Sequence, residues 1–309
     1  MNFTLRAWLD ASRPKTLPLA WMAILVGSLL AFHHGRLSWA VLGLSLLTAT
    51  LLQILSNLAN DYGDGMRGVD NAARLGPVRA MQSGTISAQQ LRRSLLLVSA
   101  LCMASGLGLL YVAHLDLRTV LVFVGLGAVA IIAALTYTLG RKPYGYAGLG
   151  DLAVWLFFGG LAVTGSYYLH GAALEPVLLL PASACGLLAV AVLNINNMRD
   201  LDNDQRCGKF TVPVRLGLKR ARHYHLLLLL AAWLQYWLYL LSRGADHPTL
   251  WLAGLFLLAA WPLARHALAV RHASTPAQMA PLLPAMVGCA IQVNGLFVLL
   301  LVLSTVLRH

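Results

Sequence analysis

The sequence is poor in charge. Asp, Glu, Lys and Arg make up only 11% of its 309 residues, against roughly 25% in a soluble domain. With 59% of the residues hydrophobic, that scarcity excludes a soluble protein and leaves an integral membrane protein. Negative charge is scarcest, with eleven acids against 23 basic residues and a formal charge of +12. In a soluble chain such an excess would point to nucleic acid. Here the basic residues sit in short segments between apolar runs, so the positive-inside rule accounts for them, and no nucleic-acid partner is expected. Cysteine is also sparse. Cys102, Cys185, Cys207 and Cys289 are far apart and form no CxxC pair, which argues against a disulfide framework or a zinc site. The histidines, including His33-His34 and His223/His225, show no ligand pattern with acids or cysteines. The basic-then-apolar start resembles a signal peptide, but the many apolar runs that follow make an uncleaved first span the better reading.

What the chain has is long hydrophobic runs. A spanning helix takes about 20 apolar residues. Nine stretches qualify, at 17–33, 38–59, 94–113, 118–140, 148–169, 174–195, 224–241, 249–270 and 284–306. The expected fold is all-α, a polytopic bundle of about nine transmembrane helices forming a single domain over 1–309. Residues 1–16 read as a surface amphipathic helix with Trp8 and Leu9 as anchors. Two connections are long, 60–93 and 196–223. With the N-terminus in the cytoplasm, every Lys and Arg except Arg36, Arg118, Arg243 and Arg308 falls inside. The bias holds loop by loop, so both long connections are expected on the cytoplasmic side and the C-terminus on the periplasmic side.

Six of the eleven acids lie in those two connections. The first group is Asp61, Asp64 and Asp70 in NLANDYGDGMRGVD (57–70). The second is Asp200, Asp202 and Asp204 in NNMRDLDNDQRCGKFT (196–211). At helical spacing Asn57, Asn60, Asp61 and Asp64 share a face, and so do Asn197, Asp200 and Asp204, while Asp202 points away. Asn57–Asn60–Asp64 and Asn197–Asp200–Asp204 have the same offsets, which suggests two pseudo-repeated halves. Ionisable groups at membrane depth are costly and usually functional. Two facing carboxylate stripes would repel and raise each other's pKa values unless a cation joined them. Oxygen ligands without His or Cys suit Mg²⁺ or Ca²⁺, and Mg²⁺ favours a few carboxylates plus phosphate oxygens. Arg67, Arg141, Lys142 and Lys209 are then candidate phosphate binders. Asp151, in the Gly-rich turn YGYAGLGD, reads equally as a helix N-cap or as an active-site carboxylate.

These stretches resemble the UbiA superfamily of intramembrane prenyltransferases, which carries NDxxDxxxD and DxxxD motifs on two cytoplasmic helix ends. NDYGD (60–64) and DLDND (200–204) match. The third acid departs from the pattern, since position 68 is glycine and the nearest acid is Asp70. The resemblance is stronger to the menaquinone branch, the 1,4-dihydroxy-2-naphthoate polyprenyltransferases. It is carried by RPKTLPLA (13–20), LLQILSNLANDYGD (51–64), GPVRAMQSG (76–84), ALTYTLGRKPYGYAGLGD (134–151) and LNINNMRDLDNDQRCGKFTVPVRLG (193–217).

That resemblance implies a Mg²⁺-dependent enzyme of the bacterial inner membrane. Its substrates would be a polyprenyl diphosphate and 1,4-dihydroxy-2-naphthoate, its products demethylmenaquinol, CO₂ and diphosphate, and no protein partner is implied. It implies Asn60, Asp64, Asp200 and Asp204 as metal ligands, with Asp61 beside them in the catalytic group. Asn57 and Asn197 would flank the substrate. Tyr137 and Thr138 would touch the diphosphate or shield the allylic cation, and Lys209 would cap the diphosphate. Arg13 and Lys15 would receive the naphthoate carboxylate or anchor the chain at the membrane surface.

Two other membrane classes fit less well. CDP-alcohol phosphotransferases need DGxxAR, whereas DGMRG (64–68) lacks the AR pair. A cation transporter would carry its acids mid-span. Branches of the superfamily that prenylate 4-hydroxybenzoate, haem or chlorophyllide are separated only by the longer motifs.

Overall fold

The computed structural model describes residues 3–244 and 250–307. Every regular element among them is helical, and nine helical segments are long and apolar enough to cross a membrane. The chain begins with α1 (Phe3–Ser12), a 3₁₀ turn at Pro14–Thr16, and α2 (Leu17–His33). Next come α3 (Trp39–Met66), α4 (Ala88–Val112) and α5 (Leu117–Thr136). Side-chain oxygens start all three: Ser38 accepts from Val41 N, Ser87 forms a capping box with Gln90, and Asp116 accepts from Thr119 N. Each satisfies a backbone donor left over at a helix N-terminus.

In the next span α6 (Gly150–Val154) and α7 (Ala162–Leu169) are joined by a π-helical stretch, Trp155–Leu161. Such wide turns are frequent at functional sites. The rest is α8 (Leu179–Arg199), the short α9 (Leu201–Arg206), α10 (Val212–Gly244), α11 (Leu250–Phe256), α12 (Ala260–His272) and α13 (Leu282–Val306).

Two boundaries move in a way that matters for the site. α3 runs to Met66 rather than ending near residue 59. The motif NDYGD is therefore helical, although two glycines follow closely. An added Cβ at Gly63 would sit 2.5 Å from Thr138 Oγ1 and 2.9 Å from the Thr138 carbonyl oxygen. Glycine lets α3 pass that close to the end of α5. The connection expected over 196–223 is likewise mostly helix. α10 starts at Val212 and kinks at Gly217, where φ is 73° and ψ is 156°.

The packing divides into two main cores of unequal size and a small third cluster of Val41, Leu109, Leu110 and Leu169. The larger joins α2, α7, α8 and α10–α13, and the smaller joins α1, α3, α4 and α5. Trp8 packs against the smaller core while Leu9 is exposed, so of the two expected anchors only Leu9 points outward. α2 precedes α3 in sequence but contributes to the larger core. Exposed leucines and valines such as Leu96, Val122, Val129, Leu227 and Leu230 cover the outer faces of the spans. Those are faces that lipid can cover without leaving backbone polar groups unmet.

Candidate active site

A cavity of about 780 Å³ lies along the seam between the two cores. One end is polar, lined by residues of both Asp motifs. The remainder is apolar, with Leu110, Phe123, Leu126, Phe157 and Leu161 in its wall. It is lined along α3 from Ser45 to Asp64, a length of roughly 28 Å at 1.5 Å per residue.

The two halves meet at Asp64. Lys209 Nζ, from the turn after α9, donates to Asp64 Oδ2 at 3.1 Å, and the Tyr146 hydroxyl donates to Oδ1 at 2.7 Å. The Tyr146 ring is flanked by two cations, with Arg67 at 5.2 Å and Lys209 at 5.3 Å from its centroid. Burial opposes a charge on Lys209, but Asp64 and Asp204 outweigh it and hold the ammonium above its ordinary pKa.

The second motif keeps winding helically although α8 ends at Arg199. Asp200 N donates to Asn196 O at 3.2 Å, and Asp204 N donates to Asp200 O at 2.8 Å. Asn197, Asp200 and Asp204 all reach the cavity as their spacing predicts. Asp200 is held by Arg199 through bonds of 2.8 and 2.5 Å, with Arg74 at 3.6 Å. Asp204 has no such clamp. Burial, then the Asp200 and Asp64 carboxylates beside it, raise its pKa to about 7 against the pull of Lys209.

Asp61 belongs to a different group. It is 1% exposed. Arg13 Nη2 donates to its Oδ1 at 2.5 Å, and Arg79 Nε lies 3.5 Å from the same oxygen. Burial first, then the Arg13 charge, lowers the Arg79 pKa to about 10. Arg13 has a left-handed backbone, φ 53° and ψ 61°, a conformation costly for a residue with a Cβ. It is held there because Asn57 Nδ2 donates to Ser12 O at 2.9 Å, just before it, and Pro14 follows.

The donor set suits a hard cation. Asn60 Oδ1 is buried without a hydrogen-bond partner, and Asn60, Asp64, Asp200 and Asp204 present only oxygen ligands to one cavity. Among the described residues no three His, Cys, Asp or Glu side chains converge tightly enough to hold a metal unaided. Mg²⁺ does not require that, since it is commonly held by one or two carboxylates plus substrate phosphate and water. The residues fit it on those terms.

Of the residues expected from sequence, the cavity gathers Arg13, Lys15, Asn57, Asn60, Asp61, Asp64, Tyr137, Asn197, Asp200, Asp204 and Lys209. Five others are not in its wall. Thr138 is fully buried and donates to Ala59 O at 2.8 Å, tying α5 to α3. The Arg67 guanidinium donates to Gly140 O. Arg141 and Lys142 are exposed outside the cavity. Asp151 is neither the N-cap of α6, which is Leu149, nor a wall residue, and its Oδ2 accepts from the Tyr224 hydroxyl at 2.9 Å. Asp70 faces Arg74, with Nε 3.3 Å from its Oδ1. Reading the sequence missed Arg74, Arg79, Arg199 and Asn196, which line the cavity, and Tyr146, which orients Asp64. Arg74 carried no signal beyond that of any basic loop residue, whereas Arg79, Asn196 and Arg199 lay inside matched stretches. Tyr146 lay inside the matched YGYAGLGD stretch and could have been picked out there.

Comparisons with known proteins agree with this geometry. The family model described as "UbiA prenyltransferase family" matches residues 20–280. The chain is 50% identical to the 1,4-dihydroxy-2-naphthoate octaprenyltransferase of Escherichia coli K12, over 97% of this chain and 96% of that protein. It is 44% identical to the protein of the same name from Haemophilus influenzae, over 96% of each. A solved UbiA homolog from Archaeoglobus fulgidus bound to DMAPP and Mg²⁺ superposes with a TM-score of 0.66. That match has 18% identity and covers 97% of this chain and 99% of that one. Two Asp motifs joined across a membrane-embedded cavity, the family match over most of the chain and relatives at this identity place the chain in the UbiA prenyltransferase family.

Proposed function

We propose that the protein transfers a polyprenyl chain from its diphosphate to 1,4-dihydroxy-2-naphthoate, releasing diphosphate and CO₂ and giving demethylmenaquinol. The observation that carries this reading is the Asp64–Lys209 contact. It joins the two motifs at the polar end of a cavity whose remainder is apolar. The relatives named above carry the same activity in their names, and the apolar length beside α3 is suited to a prenyl tail.

Six cations (Arg13, Lys15, Arg74, Arg79, Arg199, Lys209) and five carboxylates (Asp10, Asp61, Asp64, Asp200, Asp204) line the cavity. That near balance is too small to neutralise a diphosphate, so a divalent ion is needed. Asn60, Asp64, Asp200 and Asp204 would hold Mg²⁺, which when bound neutralises the charge growing on the departing diphosphate. Lys209, fixed by Asp64 and the Tyr146 ring, offers its remaining donors to the diphosphate oxygens. Arg74 and Arg199 add positive charge from the Asp200 side. Preorganised charge of this kind is commonly the largest single contribution to such a step.

As the allylic C–O bond breaks, its electron pair leaves with the diphosphate. The electron-rich ring supplies the pair for the new C–C bond. The carboxylate leaves as CO₂ and its bonding pair stays with the ring. Phe157 and Leu161, carried by the π-helical stretch, help to line an apolar wall that keeps water from the allylic cation.

The positive-inside bias supports a site on the cytoplasmic side of a bacterial inner membrane. The test supplies purified protein and Mg²⁺ with a labelled prenyl diphosphate and either 1,4-dihydroxy-2-naphthoate or 4-hydroxybenzoate. Label should enter only the naphthoate, and EDTA should abolish transfer until Mg²⁺ is restored. Transfer to 4-hydroxybenzoate instead, or EDTA-resistant transfer, contradicts the reading.

A further inference from the structure

We infer that Asp61, Arg13 and Arg79 form the acceptor subsite, which recognises an aromatic carboxylate with a hydroxyl on the neighbouring ring carbon. The inference rests on the naphthoate reading above and goes beyond it, because it says which edge of the acceptor is read and by which atoms.

The starting point is an unbalanced, under-used cluster. Two guanidiniums converge on one oxygen, Asp61 Oδ1, from 2.5 and 3.5 Å. Asp61 is 1% exposed, and the arginine side chains are 23% and 14% exposed. A pair of cations against a single carboxylate leaves one positive charge unbalanced in a poorly solvated place. Asp10 and Lys15 also line this end of the cavity, but they are exposed and opposite in sign, and the nearby Asp70 and Asp64 are paired with Arg74 and Lys209, so these groups change the balance little. A buried charge without a partner is expensive, so the cluster favours a bound anion.

Its unused atoms specify more than an anion. Arg13 Nε is a buried donor without an acceptor, and Arg79 Nε, 3.5 Å from Asp61 Oδ1, forms no hydrogen bond there. Asp61 Oδ2 is a buried acceptor without a donor. A ligand that satisfies all three must bring acceptor oxygens for the arginines and, beside them, a hydroxyl for Asp61. An ortho-hydroxy carboxylate edge has that complement. A para-hydroxy acid such as 4-hydroxybenzoate does not, because its hydroxyl and carboxylate lie at opposite ends of the ring.

The arrangement also suits the chemistry. A hydroxyl donating to a carboxylate gains phenoxide character and pushes electron density into the ring, which favours attack on the allylic carbon. Asp61 lies three residues before Asp64 on α3, so the acceptor's polar edge would sit one helical turn from the diphosphate-binding group. The subsite is also built deliberately. Asn57, one turn earlier on the same face, bonds Ser12 O and holds the strained Arg13 in place. Asn57 is therefore a positioning residue.

The experiment measures binding rather than turnover. Purified full-length protein in detergent is titrated with 1-hydroxy-2-naphthoate, 4-hydroxy-2-naphthoate and 1-naphthol, followed by ligand fluorescence. Wild type should bind the first at least about tenfold more tightly than either of the others, the range expected for a hydrogen bond to a charged group. Arg79→Gln should weaken both carboxylates about tenfold and leave 1-naphthol unchanged. Asp61→Asn should erase the preference for 1-hydroxy- over 4-hydroxy-2-naphthoate. Arg79→Lys serves as a milder variant if Arg79→Gln folds poorly, with partial loss expected. The KM for prenyl diphosphate should stay unchanged in the Arg79 variants. Equal binding of the two acids by wild type, or an Arg79 effect on the diphosphate KM and not on the acids, overturns the assignment. Failure of wild type to prenylate 1,4-dihydroxy-2-naphthoate would overturn the function instead, a result the binding series does not depend on.

Discussion

Gly63→Ala is the smallest change that should separate the two halves of the site. The new Cβ would meet Thr138 Oγ1 at 2.5 Å, Thr138 Cβ at 2.6 Å and the Thr138 carbonyl oxygen at 2.9 Å. Relaxed contacts lie at about 3.5–4.0 Å, so α3 must retreat from the end of α5 by about 1 Å. Rotating the threonine side chain does not remove the clash, because its Cβ and backbone oxygen are part of it. Overpacking of this kind costs about 1–3 kcal/mol, and loss of the Thr138–Ala59 hydrogen bond adds about 1 kcal/mol. The functional cost should be larger. Asn60 and Asp64 move with α3, while Tyr146 stays with the 137–149 turn, and a shift of about 1 Å in a reacting group can cost about 100-fold in rate. The assay pairs thermal unfolding in detergent with kcat for prenyl transfer. Gly63→Ala should insert in the membrane, melt several degrees lower and lose about 100-fold in kcat. Thr138→Ala should lose only the hydrogen bond, with little change in kcat. Wild-type kcat in Gly63→Ala would show that the close approach of α3 to Thr138 does not position the site. A severe kcat defect in Thr138→Ala would return that hydroxyl to the diphosphate.

Asp151→Asn should leave acceptor and donor KM values unchanged, since Asp151 pairs with Tyr224 outside the cavity. A large KM change would put it back in the site. Replacing Arg141 and Lys142 together by Gln should likewise leave the diphosphate KM unaffected at physiological salt, because both are exposed outside the cavity. The third prediction concerns pH. Burial pushes the Asp204 carboxyl up to about 7 in the folded protein, from an ordinary value of 3.8. In that window the native state holds a proton that the unfolded state has released, so stability without Mg²⁺ should fall as pH rises from about 4 to about 7. Mg²⁺ binding needs the carboxylate, so added Mg²⁺ should stabilise the protein more at pH 8 than at pH 5 in thermal melts.

The fold and the acidic part of the site were legible because both follow from simple periodicities. Spanning helices need long apolar runs, and the Asn and Asp residues recur at helical spacing, so their shared face followed without long-range information. The helical winding across Asp200 preserved that face even where α8 stops. What the sequence hid depends on contacts distant in the chain. Arg79 reaches Asp61 only because the connection after α3 folds back over the cavity, and Tyr146 meets Asp64 across 82 residues. A loop arginine looks the same in sequence whether it meets solvent, as Arg141 does, or a buried carboxylate, as Arg199 does. Asp70 shows the converse. It lies next to the NDYGD motif, yet its partner is Arg74, which also reaches Asp200. The close helix approach that Gly63 permits was likewise invisible in the sequence, because Thr138 lies far along the chain.

Asp64 and Asp200, from separate halves of the chain, are proposed to act as one site. The most direct measurement is single-turnover prenyl transfer by Asp64→Asn, Asp200→Asn and the double variant, in purified protein with saturating Mg²⁺ and both substrates. Each single change should cost about 10²–10³-fold, and the double should be little worse than the poorer single, as expected of groups that act as a unit. Near-normal turnover in either single variant, or losses that simply multiply in the double, would contradict it.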